Sequence, residues 1–196
     1  MNQTRPTFEP AITSKPAPRY SPKMVLLIMA TLAAAYLLLL TYLHFNAEAD
    51  LRRIFGGPAG LAAVRYPDRV EAYRIGKLAD EAKWPATPAD FPILAGPVAA
   101  PPPNVADLSR TLQDRNYYMW NKSRDCAPHP DIRLDFTHDN DRLSVLVCFE
   151  CNMITSYLND KPVSEMISDY LRPALVRAAR SLFPNDPKIQ ALSEQP

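Results

Sequence analysis

Glycine is scarce and confined to one part of the chain: five in 196 residues, four of them between Gly56 and Gly76 and the last at Gly96. The final hundred residues contain none. That half is therefore excluded from the glycine-dependent phosphate cradles and nucleophile elbows. Charge of one sign is also lacking. Twenty-two Lys and Arg stand against 21 Asp and Glu, a formal net charge of +1, which sets up no field able to collect phosphates along a nucleic acid. No nucleic-acid partner is expected. Residues 1–23 lack a periodic apolar pattern and hold five prolines, so they bury too little surface to offset the entropy of ordering. A disordered tail is expected there.

Beyond the tail lies one long apolar run. Residues 24–43, MVLLIMATLAAAYLLLLTYL, are twenty residues without a charge, enough at helical rise to cross about 30 Å of hydrocarbon. Lys23 marks one boundary, while Tyr36, Tyr42, His44 and Phe45 gather toward the other, where amphipathic rings favour the headgroup layer. The sequence thus predicts a transmembrane helix over residues 24–45, with the lipid bilayer as a partner. Ala47, Glu48 and Ala49 have the small-x-small pattern of a signal-peptidase site, but the run exceeds the roughly 7–15 residues of a signal core, so retention is expected. Arg5, Lys15, Arg19 and Lys23 precede the run, against Arg52 and Arg53 just beyond it. This asymmetry places the tail in the cytoplasm and the C-terminal region outside.

Residues 46–63 read as a juxtamembrane segment in which Leu51, Ile54 and Phe55 dip into the interface before a flexible elbow at Gly56, Gly57 and Pro58. The glycines there lack the Lys-Ser/Thr ending of a phosphate loop. From residue 64 to the end the pattern is α+β. Residues 70–75, VEAYRI, form a short strand. Residues 84–103 carry seven prolines and read as an extended connector. Asn104 is the expected cap of a helix over residues 105–115. IRLDFT at 132–137 alternates apolar and polar residues, the mark of a strand buried on one face. A longer strand is expected over 142–151 and a third over 153–158, joined as an antiparallel β-meander. Leu171, Ala174, Leu175, Ala178 and Leu182 recur at helical spacing opposite Arg172, Arg177 and Arg180, an amphipathic C-terminal helix packed on the sheet. Asp186 and Pro187 start a last short helix through Leu192.

Cys126 through Pro130, VLVCFEC at 145–151 and LFPND at 182–186 resemble a module found in uncharacterised bacterial membrane-anchored proteins. GGPAG followed by PDRVEAYRI, within 56–75, is similar to the part that often precedes it. The likeness spans about two thirds of the chain; it implies a self-contained domain and no reaction.

Three cysteines carry the chemistry that the sequence offers. Outside the cytoplasm, Cys126 would bond Cys148 or Cys151 as a structural disulfide. A zinc alternative adds His129, because Cys126-x2-His129 and Cys148-x2-Cys151 have the close spacing of tetrahedral ligand pairs. Against it, a strand running through Cys148 would turn residues three apart to opposite faces, and Phe149 and Glu150 are poor turn formers. A thiol redox pair at Cys148 and Cys151 would need a helix N-terminus to stabilise a thiolate, where a strand is expected. Asn152 stands where a haem-binding pair would carry histidine. His138 with Asp135, Asp139 and Asp141 reads as a solvated hairpin turn in preference to an acid/base or calcium cluster. Trp84, Trp120, Tyr117 and Tyr118 read as core or partner surface, and Asn121-Lys122-Ser123 as an exposed sequon. The expected function is a non-enzymatic, membrane-anchored interaction or accessory domain without a cofactor, beside other membrane-protein subunits. The alternative is a metal-binding or thiol redox module.

Overall fold

The computed structural model describes residues 21–78, 87–120, 122, 126 and 129–195. Trp84, Asn121 and Ser123 lie outside them. The chain divides into two compact units, Met1–Leu43 and His44–Pro196. Helix α1 (Pro22–Phe55) contributes to both. Residues 21–43 are exposed throughout, and the helix is long and apolar enough to cross a membrane. Its two threonines spend their hydroxyls internally, Thr31 on the Ile28 carbonyl and Thr41 on the Leu37 carbonyl, each at 2.8 Å. No polar atom of theirs then demands water.

The second unit is α+β. Six antiparallel strands, β1 (Arg69–Ile75), β2 (Ile93–Ala99), β3 (Ile132–His138), β4 (Asp141–Cys148), β5 (Met153–Leu158) and β6 (Lys161–Ile167), are ordered β2-β1-β3-β4-β5-β6. The stretch from β3 to β6 is a meander. Its core face follows from period-two alternation: Ile132 opposes Val147, Leu134 opposes Val145 and Phe136 opposes Leu143. Helices α2 (Pro58–Arg65), α3 (Pro102–Leu112) and α4 (Arg172–Leu182) and the short α5 (Pro187–Gln190) bring their apolar residues onto this face in one core cluster. Asp186 caps α5, accepting from the amides of Lys188 and Ile189, as the Asp-Pro pair leads one to expect.

Several expectations need correction. The segment expected to dip into the membrane interface joins the domain core instead: Leu51, Ile54 and Phe55 are buried in the same cluster as the sheet. The elbow after them is a hydrogen-bonded turn, with the Gly57 amide on the Arg52 carbonyl at 2.6 Å and Gly56 and Gly57 at positive φ. The proline-rich connector contains strand β2. Pro97, the one proline within it, is tolerable because β2 is an edge strand paired on one side, to β1. Helix α3 begins at Pro102 with Pro101 at the cap position, so Asn104 is no cap and donates to Ser181 Oγ at 3.0 Å. Strand β4 ends at Cys148, and a turn occupies residues 149–152. Strand β6 was not expected at all. On α4 the buried residues are Leu175, Val176, Ala179 and Leu182, with Ala178 only partly buried beside the core. Leu171, Leu175 and Leu182 of the expected stripe are buried, and Val176 and Ala179 take the places expected for Ala174 and Ala178.

The opposite face of the sheet is also covered. Arg133 and Asp135, placed by alternation on a solvent side, are 7% and 3% exposed. They pair at 3.2 Å, the Arg133 guanidinium lies 4.0 Å from the Tyr73 ring centroid, and it donates to the Pro88 carbonyl at 3.2 Å. Beside them Ile75, Phe91, Leu146 and Tyr157 form a second apolar cluster. Burial raises the Asp135 carboxyl above its ordinary range despite the Arg133 charge and the Ser144 hydrogen bond.

Candidate functional sites

The cysteine corner lies where β4 turns into β5. Cys126 and Cys151 are at disulfide distance, their Cα atoms 6.1 Å apart, so of the two pairings left open by the sequence it is Cys151 that faces Cys126. Cys148 is buried and unbonded to another cysteine, and burial pushes its thiol above the ordinary value. Its sulfur accepts the backbone N–H of Cys151 at 3.3 Å. The three cysteines therefore meet in one place, whereas His129 lines a neighbouring hollow with Asp131, Glu150 and Arg172. Among the described residues no group of three or more His, Cys, Asp or Glu is arranged to hold a metal ion.

The objection that residues 148 and 151 must diverge along a strand does not hold, because the strand stops at Cys148. Phe149 and Glu150 are indeed poor turn formers. The turn is imposed by its surroundings. The Phe149 amide donates to Asp131 Oδ2 at 3.1 Å, Arg172 donates to the Phe149 carbonyl and to Asn152 Oδ1, and Ser168 binds the Asn152 carbonyl through both its amide and its hydroxyl. Asn152 takes the left-handed conformation, φ 51°, which Asn tolerates better than most residues.

A second site was not foreseen. An open cleft of about 1010 Å³ lies between α2, α3 and the paired ends of β1 and β2. Val70, Ala99, Ala100 and Val105 give it an apolar lining, and Arg65, Arg69, Arg110 and Arg115 surround it against Asp68 and Asp114. Arg65 is fixed, donating to Gln113 and Glu48 at 3.1 Å each. Arg69 and Arg110 are held by exposed ion pairs, to Glu71 at 3.7 Å and Asp107 at 3.1 Å, which contribute little and yield readily to another anion. Ser109, 7% exposed, lines the cleft, and its hydroxyl has no hydrogen-bond partner among the described residues. Leaving such a group unpaired costs about 1–3 kcal/mol. Sequence could have offered only the run of arginines near residues 65 and 110, which are far apart along the chain and meet through the fold.

The remaining candidates are structural. The His138 cluster is turn chemistry: Asp68 accepts from the Asp139 amide at 2.8 Å, and Asp141 accepts from the Asn159 side chain at 2.8 Å. Tyr118 is buried with its hydroxyl on the Leu112 carbonyl at 2.7 Å, and Trp120 donates to the Arg115 carbonyl at 3.1 Å. No protein-family model, no curated protein and no solved structure matches this chain.

Proposed function

We propose that this chain is a single-pass membrane protein whose second unit is a non-enzymatic interaction or accessory domain outside the cytoplasm. The observation that carries the reading is the apolar stretch of α1: twenty residues without a charge, every one exposed. Leaving that much hydrocarbon in water would cost about 25 cal/mol per Å², and a bilayer removes the cost. The interaction role is supported by the cleft between α2 and α3, whose apolar lining and excess of arginine suit an acidic, partly apolar segment of a membrane-protein partner. Orientation follows from the basic residues of the tail.

The experiment is photocrosslinking in intact membranes. A photoreactive residue at Ala106, in the cleft, should give a discrete adduct whose yield falls when Arg69 and Arg110 are replaced by Glu. The same residue at Asn185, remote from the cleft, should not. Equal adducts from both positions, or release of the chain from membranes by alkaline carbonate, would sink the proposal. Labelling of a cysteine placed in the tail by an impermeant reagent, on intact cells, would invert the orientation.

A further inference from the structure

We propose that Arg65 and Arg115 couple the cleft to α1: an acidic partner segment competes with Glu48 and Asp50 for these two guanidinium groups, so its binding releases two clamps on the last turns of α1. The inference rests on the reading of the cleft as the partner site and adds how that site is regulated. The four arginines around the cleft are not alike. Arg69 pairs with Glu71, two residues along its own strand, and Arg110 with Asp107, one turn back on its own helix. Arg65 and Arg115 instead reach across to α1. Arg65, the last residue of α2, donates from Nη1 to Glu48 Oε1 at 3.1 Å. Arg115, in the turn at Arg115–Tyr117, has Nη2 3.0 Å from Asp50 Oδ2.

Helical spacing makes the two contacts a clamp. At about 100° per residue, Glu48 and Asp50 stand on opposite flanks of the stripe that Leu51, Ile54 and Phe55 bury. One arginine therefore grips α1 on each flank. The three buried side chains keep these turns docked whether the clamps are open or closed, so an exchange of partners at the arginines does not require the unit to unfold.

Both clamps can yield. The Asp50 and Arg115 side chains are 38% and 44% exposed, and those of Glu48 and Arg65 are 17% and 31% exposed. Ion pairs this open to water contribute little. Arg65 Nε stays on Gln113 Oε1 at 3.1 Å, which holds the guanidinium at the cleft while its other donors change partner. A carboxylate arriving in the cleft then takes up the charge that the α1 carboxylate gives up. Because α1 is one helix from Pro22 to Phe55, the residues displaced belong to the element that carries the apolar run. Such coupling is reciprocal, so whatever closes the clamps weakens partner binding by the same factor.

Double-mutant cycles on the full-length protein in detergent micelles test this, with a dye-labelled peptide of alternating Asp and Leu as the probe and fluorescence anisotropy as the readout. Asp50→Asn and Glu48→Gln each remove a competitor. Each should tighten binding by about 2–5-fold, the range set by a partly exposed pair. Removing a negative charge beside a basic cleft also tightens binding through the field alone, and the second half of each cycle separates the two causes. In an Arg115→Gln background Asp50→Asn should have no effect, and in an Arg65→Gln background neither should Glu48→Gln, because no guanidinium is left to release. A field effect would persist in both. All variants should keep wild-type protease resistance, since the Leu51, Ile54 and Phe55 contacts are untouched. The coupling is overturned if the single substitutions leave affinity unchanged, or if they tighten it equally with and without their arginine. Failure of the wild-type protein to bind the peptide would remove the cleft reading together with the coupling.

Discussion

Arg74 and Asp186, 112 residues apart in sequence, meet at 2.9 Å where the end of β1 approaches the start of α5. Arg74 is 4% exposed; its other donors go to the Ile75 and Asp131 carbonyls. Asp186 serves twice, as partner of Arg74 and as cap of α5. Burial alone would raise its carboxyl, but the Ile189 amide, the Arg74 guanidinium and the Lys188 amide hold it below the ordinary carboxylate range.

Asp186→Asn separates these roles, since Asn caps a helix as well as Asp but carries no charge. We expect a loss of about 1–2 kcal/mol at neutral pH, the range for a hydrogen bond to a charged group discounted for partial exposure. The folded pKa is depressed, so the contribution is complete above the unfolded value of about 3.9 and disappears as pH falls through the folded value. Urea unfolding from pH 7 downward should show wild type and variant converging in acid. A pH-independent difference would mean that the ion pair is not the cause.

Joining Cys126 to Cys151 closes a 25-residue separation, which in the chain-entropy model stabilises by about 3 kcal/mol. Cys126→Ser should lose about that much against oxidised wild type and very little against reduced wild type. Thiol counting on denatured, unreduced protein should find one reactive cysteine, Cys148. Two or three would show the pair open.

Leu175, 1% exposed, packs in the cluster that holds Ile132, Leu134 and Phe136. Leu175→Asp should unfold the second unit, because burying Leu contributes about 1.5–3 kcal/mol and the new carboxylate would be left without a partner. Arg177 lies on the exposed side of α4, paired with Glu194 at 2.9 Å. Arg177→Asp should change stability by less than about 0.5 kcal/mol. Equal protease sensitivity of the two variants would contradict the face assigned to α4.

How much of this was legible in the sequence depends on whether local residues or remote partners decide each element. The strand at 132–138 and the Asp-Pro start of α5 rest on local alternation and local capping, and both could be read directly. Strand β2 was hidden because the prolines around it resemble a linker, and only its place at an edge makes its own Pro97 tolerable. Arg133 and Asp135 were assigned to a solvent face because each charge alone demands water; two residues apart on one strand face, they supply each other's counter-charge. The turn after Cys148 could not be read from Phe149 and Glu150, since Asp131, Ser168 and Arg172 enforce it from elsewhere. The cleft is a product of topology, uniting α2, which ends at Arg65, with α3, which begins only at Pro102.

Gly60 gives a test of the elbow between α1 and α2. In an ordinary helix interior Gly→Ala stabilises by about 1 kcal/mol. Here an added Cβ would fall 1.6 Å from the Phe55 carbonyl oxygen, a backbone atom with no rotamer to change. Gly60→Ala should therefore reverse the usual sign and cost about 1–3 kcal/mol. A stabilised variant in thermal unfolding would show that the elbow is loose.

The boundary of the folded unit is the last prediction. Reading residues 46–63 as a membrane-facing segment makes residue 64 the natural start of a soluble fragment, but the last two turns of α1 bury Leu51, Ile54 and Phe55 at 6%, 1% and 0% exposure. The Ile54 carbonyl also accepts the Ser164 hydroxyl of β6 at 2.7 Å, tying that turn to the far edge of the sheet. Removing three such side chains forfeits about 1.5–3 kcal/mol for each, a large share of the roughly 5–15 kcal/mol that holds a domain together. It also uncovers the apolar faces of α2 and β6. A fragment of residues 44–196 should resist protease and unfold cooperatively, whereas one of residues 64–196 should be digested at low protease and bind a hydrophobic dye. If the shorter fragment proves equally resistant, α1 is only a tether, and its last turns are not part of the core.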